Sequence, residues 1–215
     1  MKIKRLVVLI SGSGSNLQAL IDQVHLDPEV PAEIVVVISN RAEAYGLERA
    51  KTAGIATQVL DHKAFPSREA FDQALQGLID QYSPDYVILA GFMRILTPDL
   101  VNHYHGCMIN IHPSLLPDYK GTHTHERVLA DGKTEHGASV HFVTAELDGG
   151  PVIMQVKIPV LPTDTPDSLA QRLLIQEHRI YPAVAKLLVR ERVVLNAQGV
   201  EVDKQLLTQP LLLEP

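Results

Sequence analysis

The sequence is short of cysteine and of basic charge, and each shortage excludes a class of protein. The single cysteine, Cys107, excludes a disulfide framework and makes a reducing compartment the natural expectation. It lies in an apolar run, which favours a buried packing residue over a nucleophile. The 19 basic residues are outnumbered by 25 acidic ones, which argues against a chain that binds nucleic acid or a membrane surface mainly through its charge.

The sequence also has little that resembles a targeting or membrane segment. Its first apolar run, residues 6–10, is too short to cross a membrane, and no small-residue cleavage site follows it. We interpret this run as a buried strand. The pattern predicts a cytoplasmic protein with no nucleic-acid partner and no membrane association.

What the chain does contain is enough apolar residue for a core, since 46% of its 215 residues are hydrophobic. This length fits one large domain or a domain with an appended lobe. In the first half, apolar runs typical of strands alternate with helical spacing. Strands are predicted at residues 5–10, 33–38, 56–60 and 85–90, and helices at residues 16–24, 42–53 and 68–82. This alternation predicts a parallel, doubly wound sheet, because right-handed crossovers place the helices on both faces.

The second half of the chain has a different pattern. Strands are predicted at residues 106–111, 138–143 and 152–160, and the last two could be neighbours joined by the loop between them. A long helix is predicted at residues 166–190, with a kink or break at Pro182, and residues 196–215 are expected to form a mixed tail. We therefore expect an α/β fold: a doubly wound, mostly parallel, Rossmann-like sheet with an antiparallel strand in the C-terminal half and a long C-terminal helix.

Polar residues follow several of the predicted strands at the point where each strand ends. They stand at residues 11–16, 39–40, 91–94 and 110–112. In an open α/β sheet, ligands bind at the carboxyl ends of the strands. We expect these segments to crowd one edge of the sheet.

Two short motifs hold the groups best suited to chemistry. Asn110 can donate a hydrogen bond to a developing oxyanion, and His112 can donate another or carry a proton to a leaving group. Asp148 can fix the tautomer of His112 and favour its charged form. Alternatively, the first motif is only a cap and a turn, and Leu-Asp-Gly-Gly around Asp148 is only a turn signal. Spacing along the chain does not decide whether Asp148 reaches His112.

The glycine loop at residues 12–16, Gly-Ser-Gly-Ser-Asn, suits an anion. Glycines let the backbone approach a phosphate, and a helix N-terminus supplies N–H donors and a favourable dipole. The loop is not a dinucleotide fingerprint, because Leu17 stands where a third glycine belongs and no acidic residue ends the second strand. It also lacks the Gly-Lys-Ser/Thr of a Walker A loop. We expect it to bind one terminal phosphate; a plain strand-to-helix turn is the alternative.

Histidines are dense in the middle of the chain, which raises the question of a metal site. They are His103, His105, His112, His123, His125, His136 and His141. The chain has one cysteine, no His-Glu-x-x-His motif and no tight cluster of carboxylates. We expect no metal.

Several motifs occur in one order along the chain, and together they resemble a known family. They are Gly-Ser-Gly-Ser-Asn at residues 12–16, Phe-Met-Arg-Ile-Leu at 92–96, Asn-Ile-His-Pro-Ser-Leu-Leu-Pro at 110–117, His-Thr-His at 123–125, His-Gly-Ala-Ser-Val-His at 136–141 and Leu-Asp-Gly-Gly-Pro-Val at 147–152. From about residue 5 to residue 195, the chain resembles the folate-dependent glycinamide ribonucleotide formyltransferase family. The Asn-x-His-Pro-Ser-Leu-Leu-Pro and Leu-Asp-Gly-Gly motifs are shared by the wider formyltransferase group, and the glycine loop and the chain length narrow the choice.

This resemblance implies a reaction and a set of site residues. The reaction transfers a formyl group from 10-formyltetrahydrofolate to the amine of 5'-phosphoribosylglycinamide in purine (IMP) biosynthesis, through a tetrahedral oxyanion. Asn110 and His112 would stabilise the oxyanion, and Asp148 would favour the charged form of His112 and organise proton transfer. The formylfolate would contact Arg68, Met93, Arg94, Ile95, Leu96, Asn110, Thr144, Ala145, Glu146, Leu147 and Asp148. The ribonucleotide would contact Gly14, Ser15, Asn16, Leu174, Ile175, Gln176 and Glu177.

The resemblance also implies a domain organisation. Residues 1–195 would form one formyltransferase domain, with a phosphate-binding half at residues 1–100 and a catalytic and folate-binding half at residues 101–195. Residues 196–215 carry no family signal and stay a tail of unassigned role. The partners would be the two small-molecule substrates, and the chain would be a monomer or a homodimer.

Some features keep alternatives open. Arg68 could be only a surface charge at a helix N-terminus, and Glu177 could lie on a solvated helix face. Family members often have proline after the tyrosine of their Pro-x-Tyr-x-Gly stretch, and Lys120 stands there in this chain. This departure leaves Asn110, His112 and Asp148 unchanged and puts in question only the shape and mobility of that loop.

Rival functions remain as well. Formyl transfer to methionyl-tRNA or to a nucleotide sugar would call for an extra C-terminal domain, and the tRNA enzyme for more basic surface. A hydrolase that discharges formyltetrahydrofolate would call for an N-terminal regulatory domain, whereas this chain begins at its first strand. A non-catalytic nucleotide-binding module would bind a phosphate ester without turning over folate.

Overall fold

The computed structural model describes residues 2–214 and divides into two compact units, one up to Asn110 and one from Ile111 onward. The main sheet has eight strands, and a second sheet has three. Strand β5, Met108–His112, carries the chain from one unit into the other.

The first unit alternates strands and helices as the sequence predicts. Its elements are β1 Lys4–Ile10, α1 Ser15–Leu20 with a π-helical turn Ile21–His25, β2 Ala32–Ser39, α2 Gly46–Thr52, β3 Thr57–Val59, a 3-10 turn His62–Ala64, α3 Arg68–Asp80, β4 Tyr86–Leu89, α4 Pro98–His103 and the start of β5. Its strands lie in the order β5-β4-β1-β2-β3, and every neighbouring pair is parallel. The predicted parallel sheet is confirmed, whereas α2 is shorter than predicted and α4 was not predicted.

This strand order makes the unit doubly wound. The chain moves outward from β1 to β3 and then returns to β4 on the other side of β1. Right-handed crossovers therefore put α1 and α2 on one face and α3 and α4 on the other. The order reverses between β1 and β4, and such a switch point is where ligands bind in open α/β sheets.

Burial explains why these segments form these elements. Residues 6–10 of β1 are fully buried, as expected for a strand covered by helices on both faces. In α3, Phe71, Leu75 and Ile79 recur every four residues and form its buried stripe. The side chain of Ser67 accepts a hydrogen bond from the Ala70 N–H and caps the start of this helix.

The second unit combines antiparallel strands with one long helix. Its elements are the end of β5, then α5 Thr124–Ala130, β6 Glu135–Phe142, β7 Val152–Pro159, α6 Pro166–Val189, β8 Val193–Asn196, β9 Gly199–Val202, β10 Gln205–Leu206 and β11 Leu211–Leu213. Strands β6 and β7 pair antiparallel, which confirms that they are neighbours. Strand β11 pairs with β7 in parallel, and β8, β9 and β10 form the small antiparallel sheet.

Three predictions need correction. Helix α6 continues through Pro182 to Val189, so of the predicted kink or break the break does not occur. The residues from Gly199 onward, expected as a mixed tail, carry three short strands. Cys107 is exposed rather than buried, because it ends the turn before β5 instead of lying inside the strand. None of the helices within residues 2–214 is long and apolar enough to cross a membrane.

Candidate active site

The catalytic candidates Asn110 and His112 lie two residues apart on β5. Side chains of a strand alternate between its faces, so these two point to the same side. The side chain of His112 is 7% exposed, and Asn110 is half-buried. The end of one buried strand therefore presents an amide and an imidazole side by side.

Asp148 does reach His112. Its Oδ2 lies 3.5 Å from Nδ1 of His112, and its side chain is 9% exposed. The other ring nitrogen, Nε2, donates a hydrogen bond to the carbonyl of Tyr119 at 2.9 Å. One nitrogen of His112 thus donates to a backbone carbonyl, and the other faces a carboxylate oxygen.

The loop between β6 and β7 holds Asp148 in a backbone conformation that few residues adopt. Asp148 has φ +48°, and its Oδ2 accepts the N–H of Gly121 at 2.9 Å. A Cβ on Gly150 would collide with the carbonyl of Phe142. Glycine at this position lets the loop press against β6, which brings the Asp148 carboxylate to the end of β5.

A second imidazole lies on the far side of Asp148. Nε2 of His141 is 3.8 Å from Asp148 Oδ1, and Nδ1 donates to the carbonyl of Phe142 at 2.9 Å. Burial lowers the pKa of His141, and the Phe142 carbonyl and the Asp148 carboxylate oppose that shift. His141 is therefore a neutral neighbour of the Asp148 carboxylate at neutral pH.

His125 and His136 form a partly buried pair of imidazoles. Nδ1 of His125 and Nε2 of His136 are 2.9 Å apart, and the two rings meet edge to face. Burial, with the nearby imidazoles of His125 and His112, lowers the pKa of His136 to about 4. Within residues 2–214, no group of three or more histidine, cysteine or acidic side chains is arranged to hold a metal ion.

Two buried polar residues that the sequence did not single out stiffen the segment after His112. The Ser139 hydroxyl donates to the Ser114 carbonyl at 2.7 Å and accepts the Leu116 N–H at 3.0 Å. The Gln155 amide donates to both Ser139 Oγ and the Leu116 carbonyl, each at 2.9 Å. Ser139 and Gln155 lie opposite each other on β6 and β7, so the sheet itself fixes this segment.

The loop at residues 118–121 contacts both His112 and Asp148, two of the candidate catalytic residues. The Tyr119 carbonyl and the Gly121 N–H contact His112 and Asp148, as described above. Lys120, where family members often have proline, forms an ion pair with Glu146 at 2.6 Å. This ion pair links Lys120, the residue that differs from the family pattern, to the loop that carries Asp148.

The C-terminal segment also approaches Asp148. A cavity of about 360 Å³ is lined by Lys120 and Asp148 on one side and by residues 207–210 on another. Sequence patterns gave these residues no role, because a short irregular segment carries no periodic signal.

In the first unit, the glycine loop meets the start of α2. Gly14 has φ +71°, and a Cβ there would lie 2.6 Å from Cα of Gly46. Arg49 Nε donates to the Ser13 carbonyl at 2.8 Å. Gly14, Ser15 and Asn16 therefore open α1 in a tightly packed turn with a guanidinium beside it.

The segment predicted to bind folate lies beside this loop, at the switch point between β1 and β4. The Ser11 N–H donates to the Gly91 carbonyl at 3.1 Å, and the Ser11 hydroxyl accepts the Met93 N–H at 2.8 Å while donating to Asn40 Oδ1 at 2.6 Å. The predicted crowding of strand ends is confirmed for these segments of the first unit.

The remaining candidate residues differ in exposure. Met93 and Ile95 are 65% and 57% exposed, whereas Leu96 is buried. In the second unit, Leu147 and Ile175 are 49% and 62% exposed. Thr144 and Leu174 are half-buried, and Ala145 and Glu146 are exposed.

Arg68 and Glu177, for which a solvent-exposed surface position was the alternative, lie on α3 and α6. Arg68 is the exposed first residue of α3, 3.7 Å from the Glu69 carboxylate. Glu177 is 9% exposed on α6, so it does not lie on a solvated face. Its neighbour Gln176 accepts a hydrogen bond from Arg179 at 2.6 Å.

Comparisons with known proteins agree on one family. The model of the formyl transferase family matches residues 4–185. The phosphoribosylglycinamide formyltransferase of Escherichia coli (strain K12) is 53% identical over 200 residues, which cover 93% of this chain and 94% of that protein. The trifunctional purine biosynthetic protein adenosine-3 of Bos taurus is 47% identical over 198 residues, which cover 92% of this chain and 20% of that protein.

Solved structures give the same result. The phosphoribosylglycinamide formyltransferase of Coxiella burnetii is 48% identical, with a TM-score of 0.93 over 98% of this chain and 99% of that one. The glycinamide ribonucleotide transformylase 1 of Symbiobacterium toebii is 44% identical, with a TM-score of 0.89 over 93% of this chain and 94% of that one. With these relatives spanning nearly its whole length, the chain belongs to the phosphoribosylglycinamide formyltransferase family of formyl transferases.

Proposed function

We propose that this chain transfers the formyl group of 10-formyltetrahydrofolate to the amine of 5'-phosphoribosylglycinamide, a step of purine biosynthesis, through a tetrahedral oxyanion. The observation that carries the proposal is the placement of His112. Its imidazole lies between the Asp148 carboxylate, at 3.5 Å, and the Tyr119 carbonyl, two residues along β5 from the Asn110 amide.

Asn110 and His112 act on the oxygen of the formyl group. Attack by the substrate amine on the formyl carbon turns the carbonyl oxygen into an oxyanion. The Asn110 amide and the His112 imidazolium each donate a hydrogen bond to that oxygen, in a buried site where such bonds are strongest. Nε2 of His112 supplies its bond by exchanging the Tyr119 carbonyl for the oxyanion, since Nδ1 faces Asp148.

Asp148 keeps the imidazole charged and in place. A carboxylate beside an imidazole stabilises its positive charge and fixes its orientation. The proton that leaves the attacking nitrogen ends on N10 of the departing tetrahydrofolate, and Asp148 is the buried base placed to help this transfer. The Gly121 N–H at 2.9 Å holds the carboxylate oxygen during these steps.

The exposed apolar side chains support the proposed formylfolate site. Met93, Ile95 and Leu147 expose 65%, 57% and 49% of their surface, so each offers apolar area for a ligand to cover. The flat ring system of a folate is such a cover. Arg68, Arg94, Leu96, Asn110 and residues 144–148 complete this proposed site, with Arg68 offering a charge for the carboxylates of the ligand.

The proposed ribonucleotide site uses the glycine loop. Gly14, Ser15 and Asn16 present backbone N–H groups at the start of α1, where an anion is favoured. Leu174, Ile175, Gln176 and Glu177 would contact the rest of this substrate from α6. The division into a phosphate-binding half and a catalytic, folate-binding half follows from these assignments. We also propose that the chain works in the cytoplasm as a monomer or homodimer, without a metal.

One assay tests the function. The protein is mixed with 10-formyltetrahydrofolate, with and without phosphoribosylglycinamide, and release of tetrahydrofolate is followed. Release that depends on the ribonucleotide is expected. Release without any amine would indicate a hydrolase, release only with another amine would indicate a different formyltransferase, and no release would leave a binding module. Each of these three outcomes would overturn the proposal.

A further inference from the structure

Asp72 is a buried carboxylate in the first unit that the proposed mechanism does not use. It lies on the buried face of α3 and is 2% exposed. Aspartate is rarely buried to this degree unless it is paired, because taking its charge out of water is costly. The contacts of Asp72 therefore indicate why a carboxylate is buried at this position.

One of these contacts anchors the segment proposed to bind formylfolate. Asp72 Oδ2 accepts the backbone N–H of Thr97 at 2.5 Å. At the other end of the segment, the Met93 N–H donates to the Ser11 hydroxyl at 2.8 Å. The residues between these two bonds, 94–96, are thus held at both ends, one end by a neutral hydroxyl and the other by a carboxylate.

The charge of Asp72 has two guanidinium neighbours, and both belong to the proposed formylfolate site. Arg68 lies one helical turn earlier on α3, a spacing that places two side chains on the same face. Arg94 lies over the ring of Phe71, 5.7 Å from its centroid. Burial raises the pKa of Asp72, and the Thr97 N–H and the charges of Arg68 and Arg94 oppose the shift.

Because the effect of burial outweighs these favourable contacts, the ionised carboxylate of Asp72 does not stabilise the fold. A carboxyl group whose pKa is raised on folding contributes stability in acid that is lost as the pH rises. Its second oxygen, Oδ1, is buried and has no hydrogen-bond partner among the described residues. A buried charge that costs stability is retained where it has another task.

We propose that Asp72 is a positioning residue for the formylfolate site. Its carboxylate anchors the end of the segment 93–96 through the Thr97 N–H and balances the guanidinium charges of Arg68 and Arg94, so that both arginines are held ready for an anionic ligand. This inference rests on the proposed function, because it takes the ligand of these residues to be the formylfolate.

The test is the isosteric variant Asp72→Asn, which keeps an oxygen for the Thr97 N–H and removes the charge. The matched control is Asp80→Asn, the same chemical change at the last residue of α3, where the carboxylate contacts His103 and Tyr104. Steady-state kinetics are measured with 10-formyltetrahydrofolate and with phosphoribosylglycinamide as the varied substrate, together with thermal unfolding of each variant.

The expected result for Asp72→Asn is a KM for formylfolate raised by about tenfold, the scale of one charge-assisted interaction. Its kcat and its KM for the ribonucleotide stay near the wild-type values, and its Tm is equal to or above that of the wild type. Asp80→Asn leaves all three kinetic parameters unchanged.

Other outcomes overturn the inference. An unchanged KM for formylfolate in a folded Asp72→Asn protein shows that the charge does not serve the site. A lowered Tm, a failure to fold, or equal losses for both substrates shows that Asp72 serves the fold instead. Failure of the proposed function is separate, since it would appear as absence of ribonucleotide-dependent turnover in the wild-type protein.

Discussion

Replacing Ser139 with alanine removes a hydroxyl that uses its full hydrogen-bonding capacity inside the second unit. It donates one bond, to the Ser114 carbonyl, and accepts two, from the Leu116 N–H and the Gln155 amide. Ser139 is fully buried. The variant thus leaves buried polar groups without this partner, while the change in side-chain volume is small.

The magnitude follows from the groups left behind. Gln155 keeps its second bond, to the Leu116 carbonyl, so the main losses fall on the Ser114 carbonyl and the Leu116 N–H. A buried polar group without a partner costs about 1–3 kcal/mol. We expect the free energy of unfolding to fall by about 2–5 kcal/mol, and Tm by roughly 5–15 °C for a chain of this size.

The same substitution should also lower the catalytic rate, because the backbone of Ser114 and Leu116 lies just after His112 in the chain. Misplacing a catalytic group by an ångström costs up to about a hundredfold in rate. We expect kcat to fall by roughly tenfold to a hundredfold in Ser139→Ala, with little change in either KM. Urea unfolding measures the stability and steady-state kinetics measure the turnover.

Thr134→Ala is the matched control, because it removes a hydroxyl from an exposed residue directly before β6. Its stability should stay within about 0.5 kcal/mol of the wild type. If Ser139→Ala loses no more stability than this control, the hydroxyl does not hold the segment. If it is destabilised but keeps its wild-type kcat, the segment does not position His112.

Further measurements test the other assignments. Asn110→Ala should lower kcat by about 10²–10³-fold with little effect on KM, and near-normal turnover in the folded variant would remove Asn110 from the mechanism. Gly14→Ala should lower stability and ribonucleotide affinity while formylfolate affinity survives, because φ is +71° and the new Cβ would lie 2.6 Å from Cα of Gly46; equal loss of both ligands by calorimetry would contradict the phosphate assignment. Because the pKa of His136 is lowered from 6.5 to about 4, the folded protein resists protonation there, so stability present above pH 6.5 should decline by about 3 kcal/mol as the pH falls towards 4. Urea titrations of wild type and His136→Gln at several pH values should differ by this amount, and parallel curves would refute it. Exhaustive chelation should leave turnover unchanged, and activity restored by one specific divalent ion would overturn the expectation of no metal.

The order of elements in the first unit was predictable because each signal there is local. Apolar runs such as β1 are buried on both faces, and α3 shows its apolar stripe every four residues. Parallel pairing then follows from alternation and handedness. Helix α4 was missed because it has only six residues, too few for a periodic pattern.

The elements that were predicted wrongly depend on packing. Helix α6 continues through Pro182, where Tyr181, Val184 and Ala185 are buried around the proline, so tertiary contacts outweigh the lost N–H. Strand β11 forms only because β7 offers a pairing edge, and three apolar residues alone do not reveal such a partner. Cys107 is exposed because the strand begins one residue later than its apolar run.

The candidate site, like the fold, was predictable from the sequence only in part. The sequence by itself determined which groups are available, since an amide and an imidazole two residues apart on one strand share a face wherever that strand lies. Only the tertiary structure decided that Asp148 approaches to 3.5 Å, because this depends on the β6–β7 pairing and on the close approach that Gly150 permits. It alone also showed the contacts of Ser139, Gln155 and Asp72. A single polar residue in an apolar strand or helix has no local signature, and its meaning comes from partners 16 to 39 residues away.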